Sequence, residues 1–304
     1  MSEGRVLVAG GNGRLGRAVL TALGPRGCAG VRRSDAAPDP ILIDANGEVD
    51  PSALDGISAI INCAGRVTGT EEALDQANLH YPATLAERAR AAGVARFVQV
   101  SSFSIFGRTE RVDAATPFVP ATAYGASKLK AEQALAALDT MHFQTVALRL
   151  PFMFSAEQPA LLGRLVAIMR RTRTLPTLRN NPSRRSMITY DGAAAALVTL
   201  ATAPDVPAGG LTAADPAPLE LVMVARLIGE RLGDRIAVIP APAALVAVAR
   251  WAAPTLVDRL FGSSVLDQAA NWLAGADTHR VEDALLDYLD RLAALEPARH
   301  QPRI

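Results

Sequence analysis

A tyrosine and a lysine stand one helical turn apart in the segment Tyr124-Gly-Ala-Ser-Lys128. A free phenol has a pKa of about 10 and exchanges protons poorly near neutral pH. On a helix the two side chains share a face, so the Lys128 ammonium favours the phenolate form of Tyr124. Lowering the pKa to about 7 requires about 4 kcal/mol, which a partly buried lysine and a bound cationic group can supply together. Alone, such a pair is more often an exposed turn with a solvated lysine.

A glycine-rich turn, Gly10-Gly-Asn-Gly-Arg-Leu-Gly16, precedes this pair and connects a short apolar run to an amphipathic stretch. In a strand–turn–helix, Gly10 permits the sharp turn, Gly13 lets the backbone approach a pyrophosphate, and Gly16 permits close packing. Backbone N–H groups at the start of the helix, around Arg14 and Leu15, then face the phosphates. The turn predicts a dinucleotide site.

The residues after the second predicted strand, Val31-Arg-Arg-Ser34, bear on the choice of dinucleotide. Guanidinium groups match phosphate oxygens, so Arg32 and Arg33 favour a cofactor with a 2′-phosphate, NADP(H), over NAD(H). Asp35 remains a candidate for binding an unphosphorylated ribose. Asp44, after the third strand, is either an acceptor for the adenine amino group or a carboxylate that closes a turn.

Ser102 is the third candidate catalytic residue, because it ends the fifth predicted strand. Ligands bind at the carboxyl ends of strands in open α/β sheets, where this hydroxyl would contact the reacting oxygen. Ser104 is a rival for the role. Together with the dinucleotide site, these residues predict hydride transfer between a nicotinamide and a carbinol or ketone carbon, with Tyr124 as the group that transfers the proton. Cys28 and Cys63 match no metal-binding spacing, so no metal is predicted.

Composition narrows the classes of partner. The chain has 304 residues, of which 50% are hydrophobic and 20% charged, and its formal net charge is +1. This balance gives no electrostatic basis for binding nucleic acid or an anionic membrane. The most apolar late stretch, Ala241 to Val257, is interrupted by charge and proline and is shorter than the about 20 residues of a membrane span. With no leader pattern at the start, a cytoplasmic protein is expected.

Strands alternate with helices as far as residue 150, which predicts an α/β fold with a Rossmann-type, doubly wound parallel sheet. Residues 1–150 are the expected dinucleotide-binding domain, with elements around 186–215 returning to it, and residues 151–304 mainly a smaller, irregular substrate-binding region. Leu175 to Ser186 is expected to be a loop. The predicted strands are Arg5–Ala9, Cys28–Arg32, Ile41–Ile43, Ile57–Cys63, Phe97–Val100 and Thr145–Leu148, and the helices are Arg14–Leu23, Glu71–Ala92 and Tyr124–Ala137.

Taken together, the chain resembles the extended short-chain dehydrogenase/reductase family, the NAD-dependent epimerase/dehydratase group. The resemblance implies Tyr124 as the acid/base, Lys128 as its electrostatic partner and Ser102 as the donor to the substrate oxygen. It places Ala64 and Gly65 along the cofactor, and it implies a homodimer and a nucleotide-sugar pocket. The motifs that carry it are Gly10–Gly16, Asn62–Gly65, Ala92–Val98, Ser101–Gly107, Tyr124–Lys128, Leu148–Pro151 and Arg185–Asp191.

Within that family the second half is most similar to bacterial nucleotide-sugar 4-reductases and 4-epimerases. Phe152 stands where many members carry an asparagine that contacts the substrate. The basic segment Arg170 to Arg185 is either a solvated surface or a diphosphate site, with Arg179 and Arg185 the first choices for the phosphates.

Three alternatives stay open at this point. The pair Arg32-Arg33 favours a reductase that exchanges its cofactor over an epimerase that retains it. Phe103-Ser104 occupies the place of the acidic pair of a dehydratase, which disfavours that reaction. The segment Phe152 to Phe154 either packs in the core or lines a pocket for an apolar ketone, and a non-catalytic NAD(P)-binding sensor or assembly protein is the remaining hypothesis.

Overall fold

The computed structural model describes residues 4–33, 40–157, 159–177, 183–242, 246, 251, 262–273 and 280–295. The strands are β1 Arg5–Ala9, β2 Gly27–Val31, β3 Ile41–Leu42, β4 Ile57–Asn62, β5 Arg96–Ser102, β6 Arg111–Val112, β7 Gln144–Leu150, β8 Phe152–Phe154, β9 Thr174–Thr177, β10 Arg184–Arg185, β11 Met187–Thr189, β12 Gly209–Thr212, β13 Leu219–Glu220, β14 Ala237–Pro240 and β15 Val265–Leu266. The helices are α1 Arg14–Leu23, α2 Glu71–Asp75, α3 Tyr81–Ala91, α4 Ala123–Ala136, α5 Ala160–Thr172, α6 Tyr190–Thr202, α7 Leu221–Leu232 and α8 Val281–Leu295.

Seven parallel strands form the central sheet in the order β12-β7-β5-β4-β1-β2-β3. Their apolar runs are continuous because helices cover both faces of the sheet. On one face α1 and α6 pack over Val8, Ile61 and Val98, and on the other α3 and α4 pack over Leu7, Ile60 and Phe97. The predicted Rossmann-type fold is confirmed, and the carboxyl ends of β1, β4 and β5 meet at one edge.

Two elements from the second half of the chain, one strand and one helix, pack with the first half. The strand β12 pairs in parallel with β7, and α6 packs against α1. The rest of the second half has its own core, in which α5, α7 and α8 bury Phe154, Leu227 and Leu285. The second half also contains the strand pairs β8–β11, β9–β14 and β10–β13, and its strand β15 pairs with β6 from the first half.

Two sequence predictions need correction. The helix predicted over 71–92 contains a π-helical segment, Gln76–His80, between α2 and α3. The predicted loop over 175–186 includes β9 and β10, which pair with β14 and β13 from far along the chain and therefore leave no local periodicity. The apolar stretch Ala241 to Val257 lies almost wholly outside the described residues. Within the described part, no helix has both the length and the apolar character to cross a membrane.

Candidate active site

The glycine-rich turn brings backbone close to backbone between β1 and α1. Gly10 has a φ of +76°, and a Cβ there would lie 2.7 Å from the Ala64 nitrogen. A Cβ on Gly16 would overlap the Gly10 carbonyl, so α1 sits too close for any side chain. Gly13 precedes α1 without a side-chain cap. Arg14 is exposed and Leu15 is buried. The backbone N–H groups in the first turn of a helix have no partner within the helix, so those of α1 are able to bind an anion.

The residues expected to choose the dinucleotide lie beside this turn. Arg32 and Arg33 follow β2 and are both exposed. Asp44 Oδ1 accepts from the backbone nitrogens of Asn46 and Glu48, each at 2.8 Å, so this carboxylate closes a turn. Burial raises the pKa of Tyr81 to about 12, while the charge of Arg32 opposes and that of Asp44 adds to the shift. Asp35 lies outside the described residues.

The end of β4 runs past the lysine of α4. Asn62 is fully buried; its amide donates to Gln99 Oε1 at 2.9 Å and its Oδ1 accepts from the Ala64 nitrogen at 3.1 Å. These two hydrogen bonds fix the backbone that leads to Gly65. An added Cβ on Gly65 would lie 3.2 Å from Lys128 Nζ. A side chain at this position would therefore crowd the ammonium, which glycine does not.

Lys128 is only 4% exposed. Its Nζ donates to the Val100 carbonyl at 3.0 Å and lies 6.0 Å from the centroid of the Tyr124 ring. Burial lowers the pKa of Lys128 to about 8, although the nearby Cys63 and Glu132 favour the charged form. Burial also raises the pKa of the half-buried Cys63 to about 12.

Tyr124 and Ser102 meet at the end of β5. Burial raises the pKa of the Tyr124 phenol, and a hydrogen bond with the Ser102 side chain opposes that rise. Ser102 Oγ also donates to Ser104 Oγ at 3.2 Å, so the two rival serines lie side by side. The polypeptide alone therefore does not lower the pKa of Tyr124; a lowered pKa is expected only from Lys128 and a bound cationic group together.

The position of α4 depends on two contacts near its first turn. Thr122 caps the helix, its Oγ1 accepting from the Gly125 nitrogen at 3.1 Å. A Cβ on Gly125 would overlap the Ser104 carbonyl, so the helix rests directly on the turn Phe103–Phe106. This close packing of α4 on the turn places the Tyr124 side chain next to Ser102.

Sequence reasoning missed two polar groups that hold the site. Asn78, in the π-helical segment, accepts from the Arg66 nitrogen and donates to the Arg66 carbonyl, both at 2.8 Å. Glu132 is buried one turn beyond Lys128 and binds Ser101 and Arg149. The four-residue spacing from Tyr124 through Lys128 was a usable signal for Glu132, whereas no local pattern marks Asn78.

The residues predicted to contact the substrate differ in their burial. Phe152, the first residue of β8, has 41% of its surface exposed. Phe154 is fully buried against Tyr288, with the two ring centroids 6.3 Å apart. Core packing therefore explains Phe154 and not Phe152. Arg185 is half-buried in β10, and Arg179 lies outside the described residues.

Parts of the basic segment are engaged by carboxylates. Arg170 Nε lies 2.6 Å from Asp234 Oδ2, and Arg173 pairs with the same carboxylate. Arg184 Nε lies 3.0 Å from Glu220 Oε1. Among the described residues, no group of three or more His, Cys, Asp or Glu side chains is placed to hold a metal ion.

Solved structures of similar fold cover nearly all of the chain. A short-chain dehydrogenase/reductase superfamily protein from Agrobacterium tumefaciens with bound NAD aligns with a TM-score of 0.74 at 19% identity, over 96% of this chain and 99% of that one. MoeE5 in complex with UDP-glucose and NAD aligns at 0.71 and 20%, over 96% and 99%. Human epimerase family protein SDR39U1 with NADPH aligns at 0.69 and 20%, over 95% and 99%.

At these identities the structural likeness establishes the fold alone, and the comparison with curated proteins returned no match. The family follows from the sequence itself, since the model of the NAD dependent epimerase/dehydratase family matches residues 6–211, more than half of the chain. The chain therefore belongs to that family and is an NAD(P)-dependent enzyme of the extended short-chain dehydrogenase type.

Proposed function

We propose that this enzyme transfers hydride to or from a carbinol or ketone carbon of a nucleotide sugar, as a 4-keto reductase or 4-epimerase, with Tyr124 as the acid/base. The observation that carries the proposal is the meeting of Tyr124 with Ser102 while Lys128 Nζ lies against Gly65. These groups stand at the carboxyl edge of the sheet, beside the glycine-rich turn, where ligands of open α/β folds bind.

The chain offers a fitting place for a dinucleotide. The uncapped start of α1 suits a pyrophosphate, and the open face of Gly65 suits the nicotinamide ribose beside Lys128. When bound, nicotinamide supplies the hydride chemistry and, in its oxidised form, a positive charge.

In the reducing direction the Tyr124 phenol gives its proton to the substrate oxygen as the carbonyl carbon receives hydride. Ser102 donates a hydrogen bond to the same oxygen, and the Lys128 ammonium stabilises the phenolate that remains. In the oxidising direction Tyr124 takes the proton back. The raised pKa of Tyr124 in the polypeptide alone suits the acid, and added positive charge would suit the base.

The nucleotide-sugar part of the proposal rests on MoeE5, which binds UDP-glucose, and on the family resemblance. Arg185 and Arg179 are the proposed contacts for the substrate diphosphate. A homodimer and a cytoplasmic location stay predictions of the sequence.

Replacing Tyr124 by Phe tests the chemistry. We expect turnover of nicotinamide with a panel of nucleotide sugars, UDP-glucose among them, to fall by a factor on the order of 10²–10⁴. Binding of NADPH and NADH, followed by fluorescence, should stay close to that of the parent enzyme. Parent-like turnover in Tyr124→Phe would exclude the proposed role, and cofactor binding without turnover in the parent would favour the sensor hypothesis.

The exposed pair Arg32 and Arg33 supports a preference for NADP(H). Charge-assisted hydrogen bonds to a phosphate contribute about 1.5–3 kcal/mol each, so Arg32→Ala should weaken NADPH binding about tenfold or more. Binding of NADH should change little, because it lacks the 2′-phosphate. Equal losses for the two cofactors, measured by fluorescence titration, would contradict this assignment.

One observation favours a second candidate substrate. The exposed aromatic side chain of Phe152 lies two residues beyond the end of β7, whose Leu150 pairs with Ser102. An apolar ring at this edge suits an apolar ketone better than a hydroxylated sugar. Turnover of NADPH with apolar cyclic ketones, and none with nucleotide sugars, would favour this alternative.

A further inference from the structure

Three consecutive residues at the end of β5 each hold a different residue of α4. The Val100 carbonyl accepts from Lys128 Nζ, and Ser102 is hydrogen-bonded to Tyr124. Between them, Ser101 Oγ donates to Glu132 Oε1. Because Tyr124, Lys128 and Glu132 are spaced by four, they form one stripe along the helix. The Ser101–Glu132 contact is the one whose residues touch no proposed reactant.

Glu132 is also tied to the next strand. Its side chain is 8% exposed and that of Arg149 is 13% exposed, with Arg149 Nη2 to Glu132 Oε2 at 2.7 Å and Nε within 3.2 Å of both oxygens. Arg149 in turn stacks over Phe118, 4.5 Å from the ring centroid. A fork of this kind fixes the carboxylate in one orientation.

We propose that Glu132 is a positioning residue of the active site: it fixes the register of α4 on β5 and β7 and places a carboxylate, paired with Arg149, one helical turn from Lys128. The inference rests on the proposed function, in which Lys128 acts on Tyr124. A buried ammonium would otherwise shed its proton, because burial lowers the pKa of Lys128 to about 8.

The charged and titratable groups around Lys128 are few in the described part of the chain. Cys63 follows β4, Tyr124 and Glu132 share its helix, and Arg149 on β7 acts through Glu132. Both Cys63 and Glu132 favour the charged lysine. Removing the charge of Glu132 should therefore lower the pKa of Lys128, and removing the charge of Arg149 should raise it.

The composition of the chain permits a direct measurement, because Lys128 and Lys130 are its only lysines. Labelling the full-length protein with lysine carrying ¹³C at Cε should give two NMR signals, and Lys130→Arg assigns them. Each is titrated with pH, without any substrate. Glu132→Gln keeps the shape and removes the charge, whereas Glu132→Asp keeps the charge and shortens the side chain. Ser101→Ala removes the hydrogen bond without changing any charge.

We expect the Lys128 midpoint to fall by about half a pH unit or more in Glu132→Gln, and to stay near that of the parent in Glu132→Asp and Ser101→Ala. A parent-like midpoint in Glu132→Gln would overturn the proposal. If that variant does not fold, Arg149→Met decides: an upward shift supports the proposal and an unchanged midpoint refutes it. Failure of Tyr124→Phe to lose turnover would reject the proposed function separately, since the titration requires no activity.

Discussion

At the scale of single residues, the candidate site depends on a lysine, and not an arginine, at position 128. Of the 31 basic residues in the chain, only Lys128 and Lys130 are lysines. Arginine stays protonated in any protein environment, while a buried lysine shifts its pKa readily and donates from a compact head. The compact head of Lys128 donates to the Val100 carbonyl at 3.0 Å and lies beside Gly65.

Replacing Lys128 by Met should raise stability while abolishing turnover. The folded-state pKa of about 8 against an ordinary 10.5 corresponds to a cost of up to about 3 kcal/mol for the buried ammonium at pH 7. Between those two values the unfolded chain binds more protons, so the free energy of unfolding of the parent rises with pH.

The stability gap between parent and variant should therefore shrink by about 1 kcal/mol from pH 7 to pH 9, as measured by urea unfolding. Comparing the two proteins at each pH cancels most of the titration of Cys63 and Tyr81, which are present in both. A gap that does not depend on pH would contradict the shifted pKa of Lys128.

At the scale of elements, the contact between α4 and the turn Phe103–Phe106 decides whether Tyr124 reaches Ser102. Gly125→Ala should push the helix away from the Ser104 carbonyl, costing about 1–3 kcal/mol of stability and most of the turnover. The matched control is Gly229→Ala in α7, where an added Cβ would lie 3.8 Å from its nearest neighbour, the Asp234 carbonyl.

The control variant should gain about 0.5–1 kcal/mol from helix propensity. Thermal unfolding of both variants checks the pair. Equal effects of the two substitutions would mean that α4 does not rest tightly on the turn.

At the scale of the whole molecule, Arg96 joins the two halves of the chain. From the start of β5 its buried guanidinium donates to the carbonyls of Leu200 at 2.9 Å, Ala203 at 2.6 Å and Pro204 at 3.3 Å. It thereby closes the end of α6, the helix that the second half contributes to the sheet.

Arg96→Met should leave these carbonyls unpaired and lower the free energy of unfolding by about 2–5 kcal/mol. Arg96→Lys should recover only part of the loss, because one ammonium cannot span three acceptors. The exposed Arg26→Met serves as the control in chemical unfolding. Parent-like stability of Arg96→Met would show that α6 is held by its apolar face alone.

Local patterns in the sequence were sufficient for the glycine-rich turn, the Rossmann-type strands and the helix that carries Tyr124 and Lys128. Each depends on neighbours within one or two turns of chain, which periodicity and glycine spacing report directly. The family follows from the same part of the chain, since its model matches residues 6–211.

Tertiary structure alone decided which partners those side chains meet. Glu132 binds Ser101 and Arg149, Asn78 holds Arg66, and β9 pairs with β14 from much later in the chain. A helical pattern determines the face on which a residue lies, but the strand packed against that face comes from elsewhere in the chain. The same reason explains why the sequence left the basic segment open between a solvated surface and a diphosphate site, and gave no sign that Arg170 and Arg173 pair with Asp234.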